Sequence, residues 1–479
     1  MAPAGFASAA TDRPHFIGIG GAGMSGIAKI LALRGARVAG SDAKDSPTAR
    51  ALRDLGATVH IGHAAEHLAA DATRVVVSSA IRADNPETAR AAELGIPVVH
   101  RSDALAALLA GTRPAAVAGT HGKTTTTSML AVGLTALGLD PSYVIGGDID
   151  GLLSGARHGG GEIFVAEADE SDRSFHKYAP EVAVVLNVEL DHHATYASLE
   201  EMYAAYETFA AGIRPGGTLV VCADDPGARE LAARVRGRAG LRVLAYGAAP
   251  DADVRVLGVL PRGQASEVTV ALPEDLVGAE AGELAFTVSV PGRHYALNAV
   301  AALTAGAALG APVRGLASAL GTYRGVGRRL QPKGTAAGVA VLDTYAHHPT
   351  EMAADLEAVR GTAGDGRVLV VYQPHLFSRT RELGAEMGRA LALADASVVL
   401  AVYPAREDPI PGVTSALVVD AARAAGADAT AAPDGDAAVA AVAGMAKPGD
   451  LVLTMGAGDV TDLGPRILAR LRDRESLES

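Results

Sequence analysis

Short apolar runs alternate with segments whose apolar residues recur every three or four positions, and this rhythm appears three times along the chain. The first stretch pairs Phe16 to Ile19 with Met24 to Leu33, Arg37 to Ala39 with Thr48 to Leu55, Val75 to Val77 with Pro86 to Leu94, and Val98-Val99 with Asp103 to Leu109. Strand and helix in alternation predict a parallel sheet with helices on both faces. A second stretch begins after Gly111-Thr112-Arg113-Pro114, with strands expected at Ala115 to Ala118, Glu162 to Ala166, Val182 to Asn187 and Thr218 to Val221. Between Val254 and Val290 the period changes to strict alternation, clearest in Leu284 to Val290, which predicts a small antiparallel β insertion. The α/β rhythm restarts near Val339 to Leu342 and continues through Val368 to Val371, Val398 to Ala401 and Leu451 to Leu453. The expected fold is therefore α/β in three domains: a disordered tail at 1–13, then α/β units at 14–111, 112–327 and 328–479, the middle one carrying the antiparallel insertion.

Composition narrows this little further. At 479 residues the chain is too long for a single core, and 49% hydrophobic with 20% charged residues is a globular balance. A net charge of −12 without a long basic run argues against a nucleic-acid partner. The single cysteine, Cys222, rules out an internal disulfide framework, fits a reducing cytoplasm and reads as a small core residue. Met1 to Arg13 lacks a basic start followed by an apolar block, so no signal peptide is expected. The longest uncharged stretch, Ala296 to Val313, contains Asn298, two glycines and Pro312; it predicts two buried helices, not membrane insertion.

The chemistry gathers at the downstream ends of the predicted strands. In Ala118-Gly119-Thr120-His121-Gly122-Lys123-Thr124-Thr125, a glycine-flanked turn opens a helix, so backbone N–H groups and the helix dipole converge on one point suited to a phosphate. Lys123 adds a cation and Thr124 a hydroxyl for magnesium. The common pattern has a glycine where Val117 stands, so the loop is a shortened variant, and the Thr run is poor helix material. Gly18 to Gly23 carries dinucleotide-type spacing, with Asp42 placed to meet a ribose. Glu167, immediately after a strand, has the strongest claim in Glu167-Ala168-Asp169-Glu170-Ser171-Asp172, whose other members read as a solvated loop. His192 is an untypical magnesium ligand, and its role stays open at this level. His347 and His348 lack cysteine neighbours and i, i+4 spacing, which argues against zinc; His347, His375 and Arg379 suit a carboxylate or phosphate better.

Two phosphate-type turns imply two phosphorylated ligands and a reaction that joins them, with ATP at Lys123 activating a substrate held at Gly20 to Gly23. A nicotinamide-dependent oxidoreductase, resting on Gly18 to Gly23 and Asp42, and an ATP-regulated binding protein are the readings from other classes.

The blocks at 18–28, 119–127 and 167–172, followed by 187–196, 292–298, 343–351 and 373–380, resemble the Mur ligases over nearly the whole chain. The resemblance implies a Rossmann-like UDP-sugar domain, a central P-loop ATPase-type mixed sheet with the small antiparallel β insertion, and a C-terminal Rossmann-like amino-acid domain. It also implies a cytoplasmic reaction of cell-wall precursor synthesis: the lactyl carboxylate of UDP-N-acetylmuramate takes the γ-phosphoryl of ATP, and L-alanine attacks the acyl phosphate. A family member that adds a recycled tripeptide is the nearest alternative. Carried over by position, Gly119, Thr120, His121, Gly122, Lys123, Thr124, Thr125, Asn298 and Arg328 contact ATP, and Thr124, Glu167 and His192 hold Mg2+. Lys123, His192, Arg328 and Asp343 are the catalytic set. Gly20, Gly21, Ala22, Gly23, Met24, Ser25, Asp42 and Ser79 face the UDP-sugar, while Tyr345, His347, His375 and Arg379 face the amino acid and carboxylate. The resemblance also allows for a homodimer. Departures fall at Tyr295, where an adenine-contacting Asn is usual and the ring could stack on the base, at Thr344 and Ala346 in place of Asp and Gly, and at Leu376 in place of Arg.

Overall fold

The computed structural model describes residues 11–147, 155–192, 195–405 and 407–478. Three α/β domains follow one another, each around its own sheet. The first runs β1 (Pro14–Ile17), α1 (Ala22–Leu33), β2 (Ala39–Asp42), α2 (Pro47–Asp54), β3 (Thr58–Ile61), β4 (Arg74–Val77), α3 (Pro86–Leu94), β5 (Val98–His100) and α4 (Arg101–Leu109). Its strands are ordered β3-β2-β1-β4-β5 and pair in parallel. Strand order reverses at β1, so a crevice opens beyond the carboxyl ends of the strands, where the glycine turn leaves for α1.

Local sequence sets these elements. The buried face of α1 carries Met24, Ile27, Ala28, Ile30 and Leu31 at helical spacing. Ser46 caps α2 by accepting from Ala49 N with Pro47 in the first turn, and Asn85 caps α3 in the same way ahead of Pro86. One part of the expected tail is overturned. Asp12 is buried, accepting from the Thr73 hydroxyl (2.6 Å) and Arg74 (3.0 Å), because the buried guanidinium of Arg74 at the start of β4 needs a counter-ion. Residues 1–10 lie outside the described residues.

The second sheet begins with β6 (Arg113–Ala118), which enters α5 (Lys123–Ala136), then β7 (Ser142–Val144), β8 (Ala156–Arg157), β9 (Ile163–Glu167) and β10 (Val182–Val185). Next come α6 (Leu199–Ala211), β11 (Thr218–Cys222), α7 (Pro226–Val235), β12 (Arg242–Gly247), β13 (Val254–Arg262), β14 (Ala265–Leu272), α8 (Glu274–Val277), β15 (Gly282–Val288), α9 (Arg293–Ala308) and α10 (Val313–Leu320). The order is β15-β14-β13-β12-β11-β10-β6-β9-β7-β8. The alternating stretch thus continues the central sheet at its edge, and along β14 every second residue is buried. The Ala-rich stretch folds as α9 and α10. Cys222 is buried at the end of β11, and burial pushes its thiol up to about 11.

The third sheet comprises β16 (Gln331–Ala336), β17 (Val339–Thr344), β18 (Val368–Tyr372), β19 (Ala396–Val399), β20 (Ala429–Ala431) and β21 (Leu451–Met455), in the order β16-β17-β21-β18-β19-β20. Helices α11 (Pro349–Ala363), α12 (Phe377–Leu391), α13 (Ala416–Ala424), α14 (Gly435–Met445) and α15 (Leu463–Glu478) accompany it. The antiparallel edge strand β16 was not foreseen, since Gln331-Pro332-Lys333-Gly334 carries turn-type residues; the register indeed shifts between Pro332 and Gly334. Val341, Leu369, Val371, Val398 and Val452 from the sheet pack on Val439, Val442, Ile467 and Leu471.

By packing, the chain divides into two compact units. Residues up to Leu257, with Val270–Leu284 and Asn298–Leu320, form one; Gly258–Thr269, Ala285–Leu297 and the chain from Gly321 form the other. Among the described residues no helix is long and apolar enough to cross a membrane.

Candidate active site

In the first unit, β6 lies between β9 and β10 and is parallel to both, so three loops leave the sheet side by side. The phosphate-type loop is the middle one. Gly119 has φ +134°, and a Cβ there would stand 3.0 Å from that of Leu186; Gly122 has φ +84°, and its Cβ would fall 2.8 Å from Asn298 Oδ1. No residue with a side chain fits either position without strain. The loop after β10 braces the turn: His121 N donates to Asn187 Oδ1 (2.7 Å), Asn187 Nδ2 to the His121 carbonyl (3.1 Å), and Glu189 N to Thr120 Oγ1 (3.0 Å). His121 Nε2 is 3.3 Å from Glu189 Oε2. The Thr run does not delay the helix. α5 starts at Lys123; Thr125, Thr126 and Thr127 are buried, and Thr127 bonds back to the Lys123 carbonyl (2.8 Å), the local device that makes a β-branched residue tolerable there. Thr124, at the second helical position, is half-buried.

Lys123 Nζ donates to the carbonyls of Gly119 (2.6 Å) and Thr120 (3.2 Å) and to Glu170 Oε1 (2.8 Å). Burial alone would pull the lysine down, but the carboxylates of Glu170 and Asp169 outweigh it and hold the ammonium above its ordinary value. Glu170 is fully buried. His192 Nε2 reaches its Oε1 (3.1 Å), the Tyr196 hydroxyl donates to its carbonyl (2.6 Å), and its Oε2 has no partner among the described residues. His192 adopts φ +54°, with its N–H on Asp191 Oδ1 (2.7 Å). Glu167 accepts from Gly146 N (2.7 Å).

The solvated-loop expectation for this acidic run is therefore wrong. Arg101, at the start of α4, meets Asp169 (2.7 Å) and Asp172 (3.4 Å), while Lys123 and His192 meet Glu170. The charges of Arg101 and Lys123, with a hydrogen-bonding contact from His192, offset the cost of burying the carboxylates. Glu170 and Arg101 are the residues that sequence reasoning missed. The signal for Glu170 was its place three residues past a strand end; for Arg101, which is distant in sequence, there was none.

At the other glycine turn, Gly18 N and Ile19 N donate to the Ser41 carbonyl (2.8 and 3.0 Å), and Gly21 precedes α1 in extended conformation. A Cβ on Gly23 would come within 3.2 Å of Arg101 Nη1. Asp42 braces the turn: Oδ2 accepts from Gly20 N (2.8 Å) and Oδ1 from Lys44 N (3.1 Å). Ala22 and Ser25 line a cleft of about 580 Å³ between α1, α2 and Gly146-Gly147. The side chain of Met24 is buried in the core, and the Ser79 hydroxyl is turned to Asp172 (3.4 Å).

In the second unit, Asp343 is fully buried and accepts from the hydroxyls of Thr454 and Thr461 (2.7 Å each), with Arg328 Nε and Lys333 Nζ both at 3.6 Å. Arg328 has φ +61°, donates to the carbonyls of Gly456 (2.6 Å) and Gly458 (2.9 Å), and lies 4.9 Å above the Tyr345 ring. A chain of contacts continues from it: Tyr345 to His347 (ring centroids 5.3 Å), His347 to His375 (5.9 Å), and His375 Nδ1 to Arg379 Nη1 (3.4 Å). The predicted set is thus brought together, joined by Tyr403, stacked on His375 at 5.8 Å, which sequence did not single out. Thr344 supplies by its hydroxyl an acceptor for Ala346 N (3.2 Å), which accounts for the changed turn. Tyr295 is buried against His294, so the expectation of a ring free to stack on a base is corrected. Leu376 has φ +71° and donates its N–H to the Tyr403 carbonyl (2.9 Å).

The sequence matches three family descriptions in order: Mur ligase family, catalytic domain, over residues 13–113; Mur ligase middle domain over 117–306; and Mur ligase, glutamate ligase domain, over 328–458. It is 74% identical to a UDP-N-acetylmuramate–L-alanine ligase of Streptomyces coelicolor, over 96% of this chain and 98% of the relative. Among solved structures, a UDP-N-acetylmuramate-alanine ligase of Thermotoga maritima superposes with a TM-score of 0.78 at 26% identity, covering 96% of this chain and 99% of that one. A murein peptide ligase of Psychrobacter arcticus shares the fold, with a TM-score of 0.71 at 22% identity and coverage of 96% and 99%. With three domain descriptions matched in sequence and a relative this similar along almost its full length, the chain belongs to the Mur ligase family.

Proposed function

We propose that the chain joins L-alanine to the lactyl carboxylate of UDP-N-acetylmuramate at the expense of ATP, a cytoplasmic step of peptidoglycan precursor synthesis. The observation that carries this is the convergence of Lys123, Glu170 and His192 on a glycine-bounded helix start, together with the high identity to a ligase of that name. The first domain (14–111) takes the UDP-sugar, with the backbone of Gly20, Gly21, Ala22 and Gly23 and the hydroxyl of Ser25 turned to the pyrophosphate. The central domain (112–327) takes ATP on Gly119 to Thr125, with Asn298 beside Gly122. The third (328–479) takes the amino acid through Tyr345, His347, His375 and Arg379.

In the reaction a carboxylate oxygen of the sugar's lactyl group bonds to the γ-phosphorus as the bond to the ADP oxygen breaks. The amine of alanine then attacks the acyl carbon, phosphate leaves, and the amine proton is lost to solvent or a nearby base. Lys123 exchanges its loop carbonyls for phosphate oxygens and offsets charge on the transferred group, and Arg328 adds a second cation. The donor set fits Mg2+. Glu170 presents a buried oxygen without a partner, Glu167 and Thr124 are oxygen donors, and His192 already faces a carboxylate. Thr124, Glu167, Glu170 and His192 would hold the ion, which supplies charge neutralisation at the phosphates. Asp343, buried behind Arg328, serves the reaction by orienting it.

The test is phosphate release with ATP and UDP-N-acetylmuramate, with and without L-alanine. Sustained release and amide product are expected only with all three. Turnover with a preformed tripeptide but not alanine, or tight binding of a reduced nicotinamide, would overturn the reading.

A further inference from the structure

Behind the first glycine turn lies a charged network that the reaction does not use. Glu87, in the first turn of α3, is fully buried, and its carboxylate gathers groups from three neighbouring segments. His15 Nε2 on β1 is 2.6 Å from Oε2, the Ser41 hydroxyl on β2 donates to the same oxygen (2.9 Å), and His63, just after β3, places Nδ1 3.3 Å from Oε1 and 2.9 Å from Ser41 Oγ. Burial opposes the charge on Glu87, but the hydrogen bonds from His15 and Ser41 outweigh it and keep the carboxyl below its usual range. An ionised carboxylate under a small sheet is costly unless it fixes something.

Its one solvent-facing member is His63, whose side chain is 27% exposed. Nδ1 faces the Glu87–Ser41 pair, which leaves Nε2 as the ring nitrogen free of that network; with the proton on Nδ1, Nε2 accepts a hydrogen bond. The position is telling. Gly62 N is bonded to the Asp42 carbonyl (2.8 Å), so His63 stands beyond the carboxyl ends of β2 and β3, where a nucleoside extends when its pyrophosphate sits on the turn before α1. The residue expected to accept from the ribose there, Asp42, has both carboxylate oxygens engaged by Gly20 N and Lys44 N.

We infer that His63 is the nucleoside-recognising acceptor of the UDP-sugar site, held in tautomer and orientation by Glu87, Ser41 and His15 as positioning residues. This rests on the proposed UDP-sugar reading of the first domain. The donor it meets is the ribose 2′-hydroxyl or the uracil N3–H.

Calorimetric titration of the full chain with UDP tests it. Wild type that fails to bind UDP would overturn the underlying reading. If wild type binds, His63→Ala is expected to weaken UDP five- to tenfold while the melting temperature and the KM for ATP stay unchanged, and Glu87→Gln to weaken it similarly. The double variant should be no worse than the more affected single one, a non-additivity that a purely structural role for Glu87 would not give. Should Glu87→Gln not fold, the His63 arm decides alone. The His63→Ala penalty should vanish with 2′-deoxy-UDP if the ribose is the donor, or with N3-methyl-UDP if the base is. UDP binding to His63→Ala as tightly as to wild type, or a penalty identical across all three nucleotides, would sink the inference.

Discussion

Lys123 Nζ and Glu170 Oε1 lie 2.8 Å apart, with the glutamate fully buried and His192 on the same oxygen. The lysine proposed to meet the nucleotide is therefore already charge-compensated by a buried carboxylate.

Replacing Lys123 by Ala should lower turnover about a thousandfold, the scale of losing a principal charge stabiliser in phosphoryl transfer. UDP binding should be unchanged, since that ligand is assigned to another domain. Phosphate release and calorimetry on the same preparation check both, and near-normal release would refute the role of Lys123.

Glu170→Gln keeps the shape and removes the shared charge. Turnover is expected to fall about a hundredfold, with a higher magnesium concentration needed for half-maximal rate, because the residue's unpartnered oxygen is lost along with the counter-ion of Lys123. A magnesium titration of the rate that matches wild type would remove Glu170 from the metal set.

Asp169 should make stability depend on acid. Burial would raise its carboxyl, but Arg101 and Lys123 hold it down to about 2 from 3.8. A folded-state value below the unfolded one stabilises above about pH 4 and is lost as the pH falls towards 2. Asp169→Asn should therefore lower the urea midpoint at pH 6, and the gap to wild type should narrow as the pH drops. A gap that is constant or widens between pH 5 and pH 3 would contradict the assignment.

Asp343→Asn removes a buried charge that faces Arg328 and Lys333 and accepts from Thr454 and Thr461. A loss of about 3 kcal/mol in unfolding free energy is expected, the scale for breaking one side of a buried charged cluster. A loss under 1 kcal/mol by urea unfolding would mean the cluster is not held by this carboxylate.

Much of this was legible in the sequence, for identifiable reasons. Apolar runs such as Ala115 to Ala118 and Val182 to Val185 became buried strands because nothing in them competes with a parallel core. The two glycine turns were legible because their backbone geometry admits few other residues. What escaped was pairing at a distance. Nothing local says that Arg101 will neutralise Asp169, that Lys123 will pair with Glu170, or that Asp42 will accept from Gly20 N. Each of these depends on which loops the strand order places side by side. Strand β16 escaped for the opposite reason, since Pro332 and Gly334 are tolerated at an edge that the local pattern does not announce.

The left-handed backbone of His192 carries a further consequence. Holding a non-glycine residue at φ +54° costs on the order of 1–2 kcal/mol, which glycine would largely avoid. Fold stability and the placement of that imidazole thus pull in opposite directions at one position. In a library selected for heat tolerance alone, glycine or asparagine should accumulate at 192; selection for turnover should keep histidine. Comparing the two populations would separate what this position gives the fold from what it gives the reaction.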